Sequence, residues 1–220
     1  MMAAMDAPEP SSPRTTLRRK ADRARYDRSS VEAIVDAGFV CHVGFVDEHG
    51  PVVLPTAYGR LGDHLYLHGA PAAGWLRAAR TGAPLCVTIT LVDGVVLARS
   101  AFHHSLNYRS VVIYGAAEEV RDLAEKRRAL EQFVDHVAPG RAVEARPPTD
   151  RELKATAVVS LPITEASAKV RAGGPVDDPD DLGLAVWAGH VPFRTVPGAP
   201  VADDGVPESV AVPDSLRSLG

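Results

Sequence analysis

The 220-residue sequence contains only two cysteines, Cys41 and Cys86, and each lies within an apolar run typical of a strand. Disulfide frameworks belong mainly to small secreted domains, so we interpret these two residues as reduced, buried side chains. No apolar run approaches the ~20 residues that a membrane-spanning helix requires. The N-terminus also lacks the apolar stretch of a secretory signal. These absences predict a cytoplasmic protein with no membrane partner.

A strong excess of either charge is missing as well. The chain has 24 Lys and Arg against 28 Asp and Glu, which gives a formal net charge of −4, and its pI is about 6.1. This balance argues against a dedicated nucleic-acid-binding protein, because phosphate backbones select basic surfaces. The 45% of hydrophobic residues is typical of a globular protein. The length allows one ordinary domain with a sizeable core.

The motifs of metalloproteins and hydrolases are also absent. Eight histidines are present, but His103 and His104 are adjacent and would point to opposite faces of a strand. The only HxxxH spacing, from His64 to His68, lies in a strand-like run rather than a helix, and no CxxC spacing occurs, so no metal site is predicted. No GxSxG elbow accompanies Ser105 or Ser110, and neither the P-loop nor a strand-linked GxGxxG motif is found. Hydrolase chemistry and the common nucleotide-binding loops are therefore disfavoured.

The sequence divides into a central domain and two tails. Residues 1–28 mix Pro, Ser and Ala with seven basic residues and are predicted to form a flexible arm. Such an arm can bind nucleic acid, but a solvated arm, or one packed on a partner subunit, is the favoured interpretation. Residues 29–196 form the predicted domain, and residues 197–220 a loose tail. Because both ends lack periodic apolar residues, we expect that removing residues 1–12 and 200–220 leaves the fold and the cofactor intact.

Strand-like runs and turns alternate at short intervals from residue 39 to residue 120, which predicts a small antiparallel barrel. The apolar spacing over 123–137 predicts a helix, which Pro139 and Gly140 end. Ser29 and Ser30 offer an N-cap to an earlier helix. The remaining predicted elements are strands at 39–46, 51–58, 64–68, 84–91, 95–98, 110–120 and 157–171, a helix at 72–81, a turn at Asp93-Gly94, and a capping box at Thr149–Glu152.

Polar side chains gather at the ends of the predicted strands, most densely in AFHHSLNYRSVVIYG at 101–115. Together they have the chemistry that FMN requires. Its phosphate suits arginine forks, hydroxyls and backbone N–H groups, and its reduced ring, anionic near N1, is favoured by a nearby cation. Taken singly, each also has a structural explanation, such as a histidine that a backbone carbonyl satisfies. The residues of this set are Thr56, Tyr58, His68, Asn107, Tyr108, Arg109, Ser110, Lys169 and Arg171.

Five runs carry a resemblance: RARYDRSSVEAIVDAGFVCHVGFV, PVVLPTAYGRLGDHLYLHGA, CVTITLVDGVVLARSAFHHSLNYRSVVIYG, SAKVRAG and VWAGHVP, which cover most of residues 23–192. They resemble the pyridoxamine 5′-phosphate oxidase-like family of FMN-binding split barrels. LYLHGA and HHSLNYRSVV are most similar to its branch of flavin-nucleotide-binding proteins, which also contains nitroimidazole-resistance reductases. The resemblance implies a mainly β fold, a six-stranded antiparallel split barrel with flanking helices. It also implies a homodimer with two FMN molecules in grooves that both chains form.

The resemblance also implies a set of cofactor-binding residues. They are Pro55, Thr56, Ala57 and Tyr58 along the flavin, His68, Gly69 and Ala70 beside its ribityl phosphate, Asn107, Tyr108, Arg109 and Ser110 at the phosphate or ring, and Lys169, Arg171 and Trp187 closing the site. The loop Pro71-Ala72-Ala73-Gly74 departs from the family pattern, because many relatives carry a basic or hydroxyl residue there. Phosphate binding is therefore expected to rest on Arg109, Arg77 and backbone amides. The pyridoxal-phosphate contacts of true oxidases have no match, so vitamin B6 synthesis is not predicted.

Two functions remain open at this point. The favoured one is an FMN-dependent oxidoreductase that reduces a small, flat, electron-poor molecule, such as a quinone or nitro compound, through flavin N5. The alternative is a carrier or sensor of the same fold that binds flavin, or haem in its place, without turnover. His68 is the candidate catalytic residue, as a proton donor or substrate anchor, because an unperturbed imidazole titrates near neutral pH. A purely structural role, in which His68 only fixes the turn through a hydrogen bond to the backbone, is slightly favoured over the catalytic one.

Overall fold

The structure is a computed structural model that describes residues 8–217 and 219. Antiparallel strands dominate it, with helices at their flanks, as the sequence predicts. The strands are β1 (Ala24–Arg25), β2 (Val40–Asp47), β3 (Gly50–Ala57), β4 (Gly59–Leu61), β5 (His64–Gly69), β6 (Pro84–Leu97), β7 (Ser105–Ala116), β8 (Glu118–Glu119), β9 (Ala157–Pro162), β10 (Glu165–Arg171) and β11 (Gly189–Pro192). The helices are α1 (Arg28–Ala37), α2 (Gly74–Arg80), α3 (Leu123–Val137), α4 (Arg141–Glu144), α5 (Asp150–Ala155) and α6 (Asp214–Arg217).

The helix predictions are confirmed for α3 and for the capping box, and one cap is corrected. The helix α3 spans Leu123–Val137, and the side chain of Asp122 caps it by accepting from the Glu125 N–H at 2.8 Å. Helix α1 is not capped by Ser29 or Ser30, because Asp27 precedes them and its carboxylate accepts from the Ser30 N–H at 2.7 Å. A carboxylate at this position also interacts favourably with the positive end of the helix dipole.

The predicted turn at Asp93-Gly94 is wrong, since β6 runs without a break through both residues. Gly94 serves instead to let β11 approach β6. A Cβ built on Gly94 would lie 2.5 Å from the carbonyl oxygen of Val191, which no side chain tolerates. Conversely, the run predicted as one strand from 157 to 171 divides into β9 and β10, and Pro162 ends β9.

The chain forms two compact units. Unit 1 consists of residues 1–42, 86–114 and 164–194, of which residues 8 onward are described. Its strands are ordered β1-β10-β7-β6, and β11 also pairs with β6. Alternate residues of these strands are buried and build the core of the unit. These core residues are Val87, Ile89, Val96, Val111, Ile113 and Ala168.

Unit 2 consists of residues 43–85, 115–163 and 195–220, except for the undescribed positions 218 and 220. Its strands are ordered β4-β5-β9-β8, and β9 is buried along its first five residues. Helix α3 packs on β4 so closely that a Cβ on Gly59 would lie 3.0 Å from the Cα of Phe133. Glycine at this position therefore fixes how near α3 comes to the strands.

Both terminal segments make contacts within their own unit. In the arm, Arg14 forms an ion pair with Glu165 of β10, and its guanidinium lies 4.7 Å above the centre of the Tyr114 ring. In the tail, Ser215 is buried and hydrogen-bonds the carboxylate of Glu144. The flexibility assigned to the two ends stays a prediction. None of the described helices combines the length and apolar character needed to cross a membrane.

Candidate functional site

Antiparallel pairing of β7 with β10 sets the face on which each predicted side chain of unit 1 lies. Ser110 is the Cα partner of Lys169, and Arg109 is the partner of Val170. Opposite residues of an antiparallel pair share a face, whereas neighbours along a strand alternate. Ser110 and Lys169 therefore lie on one face and Arg109 on the other. The polar run NYRS does not present all its groups to one ligand.

Arg109 is engaged by a carboxylate of its own unit. Its Nε and Nη2 donate to the two carboxylate oxygens of Asp93 at 2.9 and 2.8 Å. This bidentate geometry raises the pKa of Arg109 above its ordinary value. Asp93 is itself fixed, because its backbone carbonyl accepts from the Phe193 N–H at 2.9 Å. The Arg109 guanidinium, which the sequence predicts to bind a phosphate, instead forms an ion pair that links β7 to β6.

Arg171 differs from Arg109 in both burial and partners. It is only 7% exposed, and its guanidinium donates to the Oδ1 of Asn107 and, at 3.0 Å, to the carbonyl oxygen of Gly174. Asn107 is also buried and donates from Nδ2 to the Gly173 carbonyl at 3.1 Å. All of these acceptors are neutral. Burial and the charge of Arg23 lower the pKa of Arg171 below its ordinary value.

Lys169 and Arg23 place two further cations beside Arg171. Lys169 lies two residues earlier on β10, and its Nζ donates to the carbonyl oxygen of Arg19 at 3.3 Å. Arg23 immediately precedes Ala24, the Cα partner of Lys169. The Arg23 side chain is half-buried and forms no hydrogen bond or ion pair with the residues that the structure describes. Arg23, Lys169 and Arg171 are called the basic cluster below.

Trp187 is exposed at 65% and packs against its own chain. A Cβ on Gly189 would lie 2.9 Å from the Trp187 ring, so glycine there lets the indole lie flat against the backbone. Leu182, Leu184 and Val186 are also exposed. The segment 182–187 therefore exposes four apolar side chains.

The predicted residues of unit 2 have different accessibilities. Tyr58 is fully buried, and its ring lies 4.9 Å from the imidazole of His136, so the Tyr58 ring offers no surface to a ligand. Pro55 and Ala70 are exposed, and Thr56, Ala57 and Gly69 are half-buried. A Cβ on Gly69 would lie 3.1 Å from the Leu76 side chain, so this glycine accommodates helix α2.

His68 stands on β5 opposite Val158 of β9 and is half-buried. Its ring meets Phe133 of α3 edge-on, with the centres 4.4 Å apart and the planes at 71°. Among the described residues, none forms a hydrogen bond with either ring nitrogen. Burial lowers the pKa of His68 below its usual value, which favours the neutral imidazole. A neutral imidazole with a nitrogen free of hydrogen bonds has the chemistry of a metal ligand.

No other histidine combines burial with uncommitted nitrogens in the described part of the chain. His64, four residues earlier on the same strand, provides the clearest contrast, because its Nδ1 lies 2.7 Å from an Asp63 oxygen. The others are His42, His49 and His190, which are exposed, His103 and His104, which bond Asp178 and the Ser100 carbonyl, and His136, which packs on Tyr58.

Two residues of these sites were missed in the sequence. Arg23 sits in a run of basic residues that gave no reason to single it out, and only the pairing of β1 with β10 brings it to Lys169 and Arg171. Phe133 lies within the apolar spacing that predicts α3, but its place against His68 depends on how α3 packs on β4. Neither relation has a signal in local sequence spacing.

The fold agrees with what the chain is similar to. Residues 27–170 match the pyridoxamine 5′-phosphate oxidase family, and the chain belongs to that family. No curated protein matches the chain. Among solved structures, the flavocytochrome Anf3 of Azotobacter vinelandii is similar at 40% identity and a TM-score of 0.92, over 97% of this chain and 99% of that one.

Two further solved structures extend the comparison. The FAD and heme binding protein of Mycobacterium smegmatis shares 36% identity at a TM-score of 0.86, over 90% of this chain and 97% of that one. A putative 5-nitroimidazole antibiotic resistance protein of Bacteroides thetaiotaomicron shares 27% identity at a TM-score of 0.57, over 67% of this chain and 86% of that one. The nitroimidazole relative is therefore similar over a smaller part of the chain.

Proposed function

We propose that this protein binds a flavin and a haem together and transfers electrons between them. Two relatives with at least 36% identity support this, one named a flavocytochrome and the other a FAD and heme binding protein. Each is matched over at least 97% of its own length, so the likeness extends across the whole of both relatives. The sequence predicts FMN, with haem as an alternative. The proposal instead assigns both a flavin and a haem to the protein, and FAD is the favoured flavin.

The observation that carries the haem part is the state of His68. Haem iron takes a neutral imidazole nitrogen as an axial ligand, and the surrounding side chains must be apolar enough to exclude water. The imidazole of His68 is half-buried, packed on Phe133 and without a hydrogen bond to the described residues, and burial lowers its pKa, which favours the neutral form. Burial raises the pKa of the thiols of Cys41, to about 12, and of Cys86, so neither offers a ready thiolate instead.

The flavin part rests on the family and on the charge of unit 1. A flavin nucleotide combines an apolar ring system with a phosphate or diphosphate anion. Unit 1 supplies both kinds of partner, since the indole of Trp187 is exposed and the basic cluster has no acidic partner in the described part of the unit. These features fit a flavin nucleotide, and they fit FMN and FAD equally well.

In this function the chain's own residues bind, orient and exclude water. When bound, a flavin exchanges two electrons and a haem one, so the pair would couple a two-electron donor to a one-electron acceptor. His68 would hold the iron through one nitrogen, and Phe133 would fix the plane of the imidazole by its edge contact. His68 would then serve as a ligand rather than as the proton donor considered from the sequence, because its lowered pKa favours the neutral imidazole over the imidazolium that acts as an acid.

Reduction of a quinone or nitro compound by a flavin alone is the second candidate. The nitroimidazole-resistance relative favours it, at 27% identity over 67% of the chain. A homodimer in the cytoplasm belongs to both proposals. The exposed apolar residues Leu182, Leu184, Val186 and Trp187 support an interface between two copies.

Haem titration of matched histidine variants tests the proposal. Haemin is added to wild type, His68→Ala and His64→Ala, and the Soret band is followed. We expect His68→Ala to weaken haem binding at least about tenfold, with partial recovery when free imidazole fills the vacated space, and His64→Ala to behave as wild type. Equal affinity in all three proteins, with circular dichroism showing native folding, contradicts the assignment of His68.

A further inference from the structure

The basic cluster is unusual because its most buried member has no acidic partner among the residues that the structure describes. Arg171 is 7% exposed, and its hydrogen bonds go to the Asn107 side chain and to two glycine carbonyls. Within the described residues no carboxylate forms an ion pair with Arg171, Lys169 or Arg23. Three cations thus lie together without a counter-charge.

Other arginines of unit 1 are treated differently by the fold. Arg14 pairs with Glu165, Arg99 with Asp177 at 2.6 Å, and Arg109 with Asp93 at 2.8 Å. All three have more exposed side chains than Arg171 and therefore lose less hydration. Burial of a charge is costly unless an opposite charge compensates it. Among these arginines, the most buried one, Arg171, is the one without an ion pair to the described residues.

The hydrogen bonds of Arg171 hold its guanidinium in place without neutralising it. Asn107 accepts from Nη1, while Gly174 accepts from Nη2 at 3.0 Å. A guanidinium carries five N–H donors, so these bonds leave donors available to a further acceptor. The Lys169 side chain donates only to a backbone carbonyl, and the Arg23 side chain donates to no described residue. The cluster therefore combines a fixed arginine fork with two adaptable cations.

We propose that Arg23, Lys169 and Arg171 form a binding site for a phosphate group. An anion with several oxygens fits a planar guanidinium with free donors and two neighbouring cations better than a single carboxylate does. The inference rests on the proposed function for the source of the phosphate, which is either the flavin nucleotide or a pyridine-nucleotide electron donor. It assigns the phosphate to Arg171 rather than to Arg109.

Paired ligands that differ only in phosphate test the site. Riboflavin and FMN are titrated by fluorescence into full-length wild type, Arg171→Gln, Arg23→Gln and the control Arg25→Gln, which removes an exposed cation of the same arm. Native folding of each variant is checked by circular dichroism. We expect the preference for FMN over riboflavin to fall roughly 10- to 100-fold in Arg171→Gln, less in Arg23→Gln, and not at all in Arg25→Gln.

A second set of titrations distinguishes the two possible sources of the phosphate. It also distinguishes this inference from the proposed function. NADPH and inorganic phosphate are titrated into the same proteins at constant ionic strength. An unchanged FMN preference with weaker NADPH and phosphate binding in Arg171→Gln assigns the site to the electron donor. Inorganic phosphate tests the cluster even in a protein that binds neither flavin nor haem. Equal binding of every phosphate ligand by wild type and both cluster variants overturns the inference and leaves the haem proposal intact.

Discussion

Arg109 and Arg171 occupy neighbouring strands of unit 1, and the fold uses them in opposite ways. Arg109 has a 40% exposed side chain and is neutralised by Asp93, whereas Arg171 is buried and faces only neutral acceptors. His64 and His68 of unit 2 form a parallel case, since His64 is bonded to Asp63 and His68 has no hydrogen bond among the described residues. Within each pair, the residue that has no carboxylate partner among the described residues is the one available to bind a ligand.

The contrast between Arg109 and Arg171 is removed most directly by giving Arg171 a carboxylate partner. In Asn107→Asp, the Oδ1 that accepts from Arg171 becomes part of a carboxylate. We expect phosphate affinity to fall roughly tenfold or more, because the new charge competes with phosphate for the guanidinium. Isothermal titration with inorganic phosphate measures the change. The matched control is Asn107→Gln, which keeps the amide and should lose less, and equal affinity in Asn107→Asp and wild type speaks against a phosphate at Arg171.

Arg109 should behave as a structural cation. We expect Arg109→Ala to lower the free energy of unfolding by about 0.5–1 kcal/mol, since both partners of the pair are partly exposed. The preference for FMN over riboflavin should not change. A double-mutant cycle with Asp93→Ala, followed by urea unfolding, isolates the coupling between the two side chains. A large loss of FMN preference in Arg109→Ala would restore the role that the NYRS motif suggested.

The contrast between His64 and His68 can be tested through the pH dependence of folding stability in the cofactor-free protein. Burial lowers the pKa of folded His68, so the unfolded chain binds a proton at a higher pH than the folded chain does. Stability is therefore unaffected by His68 well above pH ~6.5 and falls as the pH drops below that value. His68→Gln should remove this part of the acid dependence in urea unfolding at pH 8 and pH 5.5. Parallel profiles for the two proteins would mean that the His68 pKa is not lowered.

The smallest effect concerns the N-terminal arm. The hydrogen bond from Arg14 lowers the pKa of Glu165 to about 2, so the pair persists at mild acid and is lost only as the pH falls through that value. NMR titration of Arg14→Gln should return the Glu165 pKa toward 4.5. An ordinary Glu165 pKa in the wild type would show that the arm is detached in solution, as the sequence alone suggests.

The sequence was most informative where local spacing decides the structure. The helix α3 and the capping box at Thr149 follow from side-chain periodicity and from hydrogen bonds between residues three apart. The family was likewise recognisable from short runs, and residues 27–170 bear it out. Both kinds of signal depend on residues that are near each other in the chain.

The parts that escaped prediction depend on distant residues. Asp93 neutralises Arg109, and Asn107 holds Arg171, through strand register that no local pattern encodes. The Asp93-Gly94 pair predicts a turn, because a glycine after an aspartate usually marks one. In the structure, Gly94 instead allows β11 to approach β6. The polar density of the NYRS stretch therefore reflects structural contacts at Asn107 and Arg109.

The absorption spectrum of the full-length protein, purified and then supplied with FAD and haemin, tests the central claim most directly. We expect a flavin band near ~450 nm together with a Soret band near ~400 nm, both retained after gel filtration. A protein that retains flavin but no haem would favour the flavin reductase instead. Retention of neither group would contradict the account that we propose for this chain.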